Sequence, residues 1–146
     1  MNSSTAFVET VQQLYAAFGR GDVPALLAAL AEDVDWHLNV DPAAPGAAAV
    51  PDFRRFRGRR GVGEFFAALA RDLEFHSFEP RGFLTGGHEV AVRVSMELTV
   101  KRTGRRASFE SIHLFTFDPA GRVSCFVEYI DTLGLAAAWG AVRATG

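Results

Sequence analysis

The sequence has little cysteine, no long apolar run and no excess of positive charge. Its one cysteine, Cys125, excludes an internal disulfide bond and a zinc site built from several cysteines. No run of about 18 apolar residues predicts a membrane-spanning helix, and residues 1–14 lack the basic and apolar regions of a secretory signal. The net charge of -2 argues against nucleic-acid binding. We therefore expect a cytoplasmic protein that binds neither membrane nor nucleic acid.

Common catalytic and cofactor-binding motifs are also missing. The chain has no GxSxG nucleophile motif, no P-loop, and no GxGxxG placed between a strand and a helix. Its four histidines include no pair at i, i+4 spacing with an intervening glutamate, so the zinc-protease motif is absent. The sequence therefore predicts neither a cofactor nor a metal site.

The 146 residues are enough for one domain, which we assign to residues 1–146. Hydrophobic residues make up 49% of the chain, and 13 phenylalanines supply large side chains for a wide interior. Apolar residues at three- and four-residue spacing predict helices over residues 4–18, from Asp22 to about residue 32, and over 61–73. Residues 41–52, rich in proline and alanine, predict a long loop that is either a lid or a flexible connection.

Alternation of apolar and polar residues predicts five strands. The first covers residues 35–40, and the others cover 74–84, 89–102, 107–117 and 122–131 with short turns between them. Short turns indicate antiparallel hairpins, and the tail over residues 133–143 predicts a final helix or an extended edge. Helices followed by an antiparallel meander indicate an α+β fold.

Three segments, residues 15–36, 56–70 and 113–131, resemble the nuclear transport factor 2-like superfamily. Their sequences are YAAFGRGDVPALLAALAEDVDW, FRGRRGVGEFFAALA and HLFTFDPAGRVSCFVEYID. Within the superfamily the chain is most similar to the SnoaL-like branch, which includes ketosteroid isomerase and polyketide cyclases. The resemblance implies a cone-shaped curved antiparallel sheet wrapped around the N-terminal helices, with an internal pocket. It also implies a homodimer that pairs through the outer sheet face.

The resemblance places two polar side chains in that pocket. His113 falls where ketosteroid isomerase keeps its oxyanion-hole aspartic acid, and Glu128 corresponds to the acid/base aspartate of the polyketide cyclases. Strand alternation puts Phe115 on the side of His113, and Phe126 on the side of Glu128. A histidine beside a carboxylate in an apolar cavity is suited to proton transfer. The alternative is a hydrogen-bonded buried pair without chemistry.

Other residues depart from two relatives of known chemistry. The hydrogen-bonding tyrosine of ketosteroid isomerase falls at Leu14 here, one position before Tyr15, and its general base falls at Leu38. The paired Arg and Asp of limonene epoxide hydrolase fall at Arg93 and Ser95, so the acid is missing. Steroid isomerisation and epoxide hydrolysis are therefore disfavoured.

We predict a cofactor-free enzyme of the cyclase/isomerase type that acts on an apolar, ring-containing or polyketide-like small molecule. Glu128 would be the general acid/base, and His113 would orient it or stabilise an enolate oxygen. The pocket walls are predicted to be Tyr15, Trp36, Leu38, Phe115 and Phe126. The alternative is a non-catalytic domain of the same fold that binds a small molecule or a protein. The arginines of residues 54–60 either attract an anionic ligand or form a solvated loop.

Overall fold

The structure, a computed structural model, describes residues 3–142. Residues 1, 2 and 143–146 of the predicted single domain, and Arg143 at the end of the predicted tail, lie outside the described residues. The helices are α1 (Ser3–Arg20), α2 (Val23–Ala28), α3 (Gly58–Asp72) and α4 (Thr132–Ala138). The strands are β1 (Leu30–Leu38), β2 (Phe56–Arg57), β3 (Leu73–Gly86), β4 (Glu89–Val100), β5 (Arg105–Phe117) and β6 (Val123–Tyr129).

The N-terminal helices form as their sequence patterns predict, except at the end of α2. Asp22 caps α2 by accepting a hydrogen bond from the backbone N–H of Ala25 at 3.2 Å. The helix ends at Ala28, so the prediction that it continues to about residue 32 is wrong. Leu30 instead aligns with Val123 of β6. Sheet pairing thus overrides the helical preference of this leucine- and alanine-rich segment.

The six strands form one curved, open sheet in the order β2-β1-β6-β5-β4-β3. Strands β3 to β6 pair antiparallel with their sequence neighbours, which confirms the predicted meander. Strand β1 lies parallel to β6, so the first long strand of the chain pairs with the last. Helix α1 packs against β3 and β4, while α3 packs against β1 and β3. The predicted α+β class is confirmed.

A β-bulge changes the predicted alternation near the start of β6. Thr116 pairs with Cys125 and Phe117 pairs with Val123, so Ser124 is an extra residue on its strand. Val123 is therefore fully buried, whereas the Ser124 hydroxyl donates to the carbonyl of Thr116 at 3.2 Å. The alternation that puts Phe126 and Glu128 on one face therefore does not continue back through Ser124 to the start of the strand.

After β6 the chain turns into a short final helix. The Asp131 side chain accepts a hydrogen bond from the backbone N–H of Gly134 at 2.9 Å and caps α4. Of the two predictions for the tail, a helix or an extended edge, the structure has the helix over Thr132–Ala138. None of the helices in the described part of the chain has both the length and the apolar character needed to cross a bilayer.

Candidate active site

A cavity lies between the sheet and the helices, and aromatic and aliphatic side chains form most of its wall. Its volume is about 80 Å³. Trp36 and Phe126 stack at 4.0 Å between ring centroids, and Phe115 meets Phe126 edge to face at 5.0 Å. Leu38 also lines the cavity. The polar side chains of the described lining are Tyr15, Asp52, His113 and Glu128.

Three of these polar side chains form a continuous hydrogen-bonded chain. The Tyr15 hydroxyl, on α1, lies 2.9 Å from Nδ1 of His113 on β5. Nε2 of His113 lies 2.7 Å from Oε2 of Glu128 on β6. His113 and Glu128 are direct cross-strand partners, and a direct partner is the closest position for two side chains on one sheet face. The sheet register therefore joins the two residues, and α1 adds the tyrosine.

Both ring nitrogens of His113 are engaged by neighbouring side chains, so neither nitrogen is left to bind a ligand. The Ser111 hydroxyl lies 3.4 Å from the same Glu128 oxygen, Oε2. No hydrogen bond from residues 3–142 reaches Oε1 of Glu128. A carboxylate oxygen accepts protons and hydrogen bonds, so Oε1 is the atom of Glu128 with capacity left for a ligand.

Tyr15 is a neutral phenol in this environment. Burial, and secondly the charge of Glu128, raise the pKa of Tyr15 above its ordinary value. When His113 is neutral and donates to Glu128, Nδ1 accepts the Tyr15 proton. When His113 is an imidazolium, Nδ1–H donates to the tyrosine oxygen, and the Tyr15 proton is free to be donated into the cavity. Whether the Tyr15 hydroxyl can donate to a ligand therefore depends on the protonation state of His113.

Asp52 is a site residue that the sequence reasoning missed. It belongs to the segment predicted as a loop and lies in a short 3-10 turn, Pro51–Phe53, that is anchored by the buried side chains of Val50 and Phe53. Asp52 is only 4% exposed and lines the cavity. Burial raises its pKa to about 7, with the charge of Glu128 as the second cause. The sequence signal for this burial is an acidic residue flanked by apolar ones, in the segment Val50-Pro51-Asp52-Phe53.

The structure thus brings together all seven residues predicted for the site. The set consists of Tyr15, Trp36, Leu38, His113, Phe115, Phe126 and Glu128, and each lines the cavity. Leu14, which occupies the isomerase tyrosine position, lines it as well. A one-residue displacement on α1 therefore does not remove Tyr15 from the interior.

The arginine-rich segment serves the fold and the outer surface. Arg59 donates twice to the carbonyl of Leu30, at 3.0 and 2.8 Å, and ties α3 to β1. Arg54 lies 3.7 Å from Glu64 and covers the ring of Phe56 at 4.1 Å. In the described chain no arginine or lysine lines the cavity. These contacts favour the structural interpretation of residues 54–60 over an anion site at the pocket.

A second group of potential ligand atoms lies away from the cavity. Atoms of Asp35, His37 and Cys125 lie within 4.8 Å of one another. The Arg55 guanidinium lies 3.5 Å from the carboxylate of Asp35 and 3.5 Å from Nε2 of His37. Burial raises the pKa of the Cys125 thiol, which disfavours the thiolate that metals bind. Arg55 supplies the positive charge of this group, and the thiol serves as a small packing residue.

Comparison with known proteins agrees with this architecture. The family model described as "SnoaL-like domain" matches residues 11–126. An NTF2-like protein from Burkholderia xenovorans is 30% identical, with a TM-score of 0.79 over 92% of this chain and 95% of that one. An NTF2-like protein of unknown function from Burkholderia pseudomallei is 27% identical, with a TM-score of 0.78 over 94% and 98%.

A third structure, TerC co-crystallised with polyporic acid, is 24% identical, with a TM-score of 0.77 over 92% of this chain and 98% of that one. At this identity the likeness concerns the fold alone. Among curated proteins none matches the sequence significantly. The family model spans most of the chain and includes residues 11–20 of α1, all of β5 and part of β6, and these segments carry Tyr15, His113 and Phe126. The chain therefore belongs to the SnoaL-like domain family of the NTF2-like superfamily.

Proposed function

We propose that this protein is a cofactor-free enzyme of the cyclase/isomerase type that moves protons on an apolar, ring-containing or polyketide-like small molecule. The observation that carries the proposal is the hydrogen-bonded chain Tyr15–His113–Glu128, which lines a largely apolar cavity. A proton acceptor and a hydrogen-bond donor held at fixed positions in a water-poor site are the requirements of general acid/base catalysis.

Glu128 is the proposed general base and acid. Oε1 takes a proton from a carbon next to the substrate carbonyl, and the electron pair of the broken C–H bond moves into an enolate. Glu128 then returns the proton to another atom of the substrate, so the reaction is redox-neutral and needs no co-reactant. Oε2 is held by His113 at 2.7 Å, which leaves Oε1 directed to this task.

Tyr15 is the proposed donor to the enolate oxygen, and His113 is the positioning residue between the two. The imidazolium form of His113 donates to both neighbours and frees the Tyr15 proton for the substrate. A buried phenol with a raised pKa stays protonated, so it donates without losing its proton to solvent. This arrangement stabilises charge that develops during the reaction.

The dimensions and charge of the cavity define the substrate class. A free volume of about 80 Å³ is far below the several hundred Å³ of a typical drug-sized site, roughly 300–1,000 Å³. The described wall is mostly aromatic and aliphatic and holds no arginine or lysine side chain. We therefore propose a compact, uncharged ring compound, or one ring of a larger molecule seated after side-chain rearrangement.

Hydrogen–deuterium exchange on small cyclic ketones tests the proposal. The full chain is incubated in D2O with a panel of enolisable cyclic ketones and diketones, and loss of the α-proton signal is followed by NMR. We expect acceleration by the wild-type protein and its loss in Glu128→Gln. Glu110→Gln is the matched control, because Glu110 lies on β5 with its side chain 57% exposed and pairs with Arg93. Exchange that survives Glu128→Gln contradicts the role of Glu128.

The second candidate function is a non-catalytic binding domain. Two observations favour it: aromatic rings fill most of the interior, and both His113 nitrogens are satisfied without a ligand. A member of the same panel that binds and perturbs the cavity resonances, while its α-protons exchange at the buffer rate, identifies a binding domain. Binding with accelerated exchange identifies the enzyme.

We also propose that two copies pair through the outer sheet face. Ile112 and Tyr129 are direct cross-strand partners, and they are 39% and 47% exposed. Adjacent exposed apolar side chains at the middle of a sheet favour an interface. Light scattering is expected to give twice the chain mass of 15.8 kDa, and Ile112→Lys is expected to give the monomer. A monomeric wild-type protein contradicts pairing.

The cytoplasmic location predicted from the low cysteine content is likewise our proposal. Cys125 is a free thiol in the structure, and free buried thiols are typical of reducing compartments. Fractionation of cells that produce the protein tests it, with recovery outside the cytoplasm as the contrary result.

A further inference from the structure

We infer that Asp52 is the proton-carrying counterpart of Glu128, so that the two carboxyl groups lining one apolar cavity act as acid and base. The inference rests on the proposed function for its chemistry, and on the placement of the two side chains for its geometry. Both residues line the same cavity and both are buried. Asp52 comes from the segment before β2, whereas Glu128 comes from β6, so the carboxyls reach the cavity from separate elements.

Asp52 is unpartnered where it lies. No hydrogen bond from residues 3–142 reaches its carboxyl, although the side chain is buried almost completely. A buried ionised carboxylate without a partner is strongly unfavourable, whereas the protonated acid tolerates such a site far better. The cavity is therefore the only place among the described surroundings where this acid finds a partner, and a ligand oxygen is the partner it fits.

The charges that act on Asp52 leave Glu128 as the dominant neighbour. Burial is the main reason that the pKa of Asp52 is raised, followed by the charges of Glu128 and Asp72, while Arg71 lowers it. Asp72 and Arg71 form a two-armed ion pair with each other at 2.9 Å, so their effects on Asp52 oppose one another. Tyr15 and His113 complete the polar lining, and His113 is already committed to Glu128 and Tyr15.

Two carboxyls with one proton divide the acid and base roles. Glu128 removes the proton from the substrate carbon, and the C–H electron pair becomes the new C=C bond of an enol. Asp52 gives its proton to the carbonyl oxygen that also accepts the Tyr15 hydrogen bond, so an O–H bond forms as the Asp52 O–H bond breaks and the enolate becomes an enol. When Glu128 delivers its proton to a second carbon, the enol O–H returns to Asp52, and both carboxyls regain their starting states. No electrons are gained or lost.

The pair also restricts the ligand. Two carboxyls line the cavity and no described arginine or lysine does, so a carboxylate or phosphate ligand meets repulsion that no arginine or lysine offsets. A neutral ketone adds no charge to the cavity, and its oxygen accepts the Asp52 proton. We therefore expect binding of a cyclic ketone and no binding of the same ring bearing a carboxylate.

Carbon-13 NMR of the aspartate carboxyls tests, without using activity, whether Asp52 carries the proton. The full chain is labelled at aspartate Cγ and titrated from pH 4 to 9, and the Asp52 signal is assigned by its absence in Asp52→Asn. We expect Asp52 to titrate near neutrality and Glu128→Gln to move the Asp52 midpoint downward. Titration of Asp52 together with the exposed aspartates overturns the inference.

The exchange assay tests the donor role separately. We expect Asp52→Asn to slow exchange by about 100-fold or more, the usual contribution of a general acid, and Asp33→Asn to leave it unchanged. Wild-type rates in Asp52→Asn overturn the donor role while the proposed function stands on Glu128. If the wild-type protein itself accelerates no exchange, the proposed function and the donor role both fail, and the NMR titration still decides whether Asp52 carries a proton near neutral pH.

Discussion

His113 and Glu128 are direct partners across β5 and β6, and their side chains meet at 2.7 Å inside the sheet's apolar concave face. The other imidazole nitrogen meets the Tyr15 hydroxyl at 2.9 Å. One ring therefore fixes the position of an acid on β6 and a phenol on α1. Its removal has consequences for stability as well as for chemistry.

His113→Ala is expected to destabilise the fold by about 3–5 kcal/mol, because it leaves a buried carboxylate without its partner. Urea unfolding followed by tryptophan fluorescence measures the change. His76→Ala is the control, since the exposed His76 bonds only to Thr99 at 2.7 Å, and we expect it to cost less than about 1 kcal/mol. Equal losses in the two variants would contradict the buried pair.

Stability is expected to depend on pH through Asp52. Its pKa is about 7 in the folded chain against 3.8 for the ordinary carboxyl, so the folded state holds more protons between these values. The Asp52 contribution is therefore fully present below about pH 4 and is lost as pH rises through 7, by up to about 4 kcal/mol. Unfolding free energies measured at pH 5 and pH 8 give the dependence of stability on pH.

Asp52→Asn removes this titration, so its stability is expected to fall less from pH 5 to pH 8 than that of the wild-type protein. Asp33→Asn, at an exposed position of β1, is expected to keep the wild-type slope. Parallel slopes for all three proteins would show that Asp52 titrates as an ordinary surface acid.

Tyr15→Phe is expected to separate catalysis from folding. Loss of the hydroxyl leaves Nδ1 of His113 unpaired, with a cost of about 1–3 kcal/mol, while loss of a donor to the enolate slows exchange by about 100- to 1,000-fold. Tyr129→Phe is the control, because Tyr129 lies on the outer face and is 47% exposed. An exchange rate that falls no more in Tyr15→Phe than in this control refutes the donor role.

Phe126→Ala is expected to cost about 3–5 kcal/mol in unfolding free energy, the usual range for a buried phenylalanine. The ring stacks on Trp36 at 4.0 Å and meets His113 and Phe115 at 5.1 and 5.0 Å. Leu84→Ala, at a side chain that is 68% exposed, should change stability by less than about 0.5 kcal/mol. Similar losses of unfolding free energy in the two variants would mean that the packing of Phe126 in the cavity wall does not stabilise the fold.

The parts of the fold that the sequence predicts are those set by local rules. Residues 74–131 alternate and are divided by short turns, and a short turn forces neighbouring strands to pair, so the meander follows. The parallel pairing of β1 with β6 joins residues about ninety positions apart, and no local pattern encodes it. The helix predicted to run to residue 32 fails for the same reason, since pairing of Leu30 with Val123 decides its end.

The candidate site likewise has features that local sequence patterns predict and features that they do not. Alternation assigns His113 to one face of β5 and Glu128 to one face of β6. Their 2.7 Å contact also depends on the strand register and the side-chain rotamers, which the sequence does not specify. Tyr15 depends on the rotation of α1 against the sheet. Asp52 lies in an irregular segment, where no period tells inside from outside, so only its apolar neighbours Val50 and Phe53 signal burial.

The most direct test of proton transfer at Glu128 is the deuterium-exchange rate of one cyclic ketone that binds, compared between Glu128→Gln and Glu110→Gln. We expect a loss of about 100-fold or more in Glu128→Gln, the contribution of a general base, and a wild-type rate in Glu110→Gln. Bound ketone with equal exchange rates in the two variants would contradict catalysis by Glu128 and leave a binding domain.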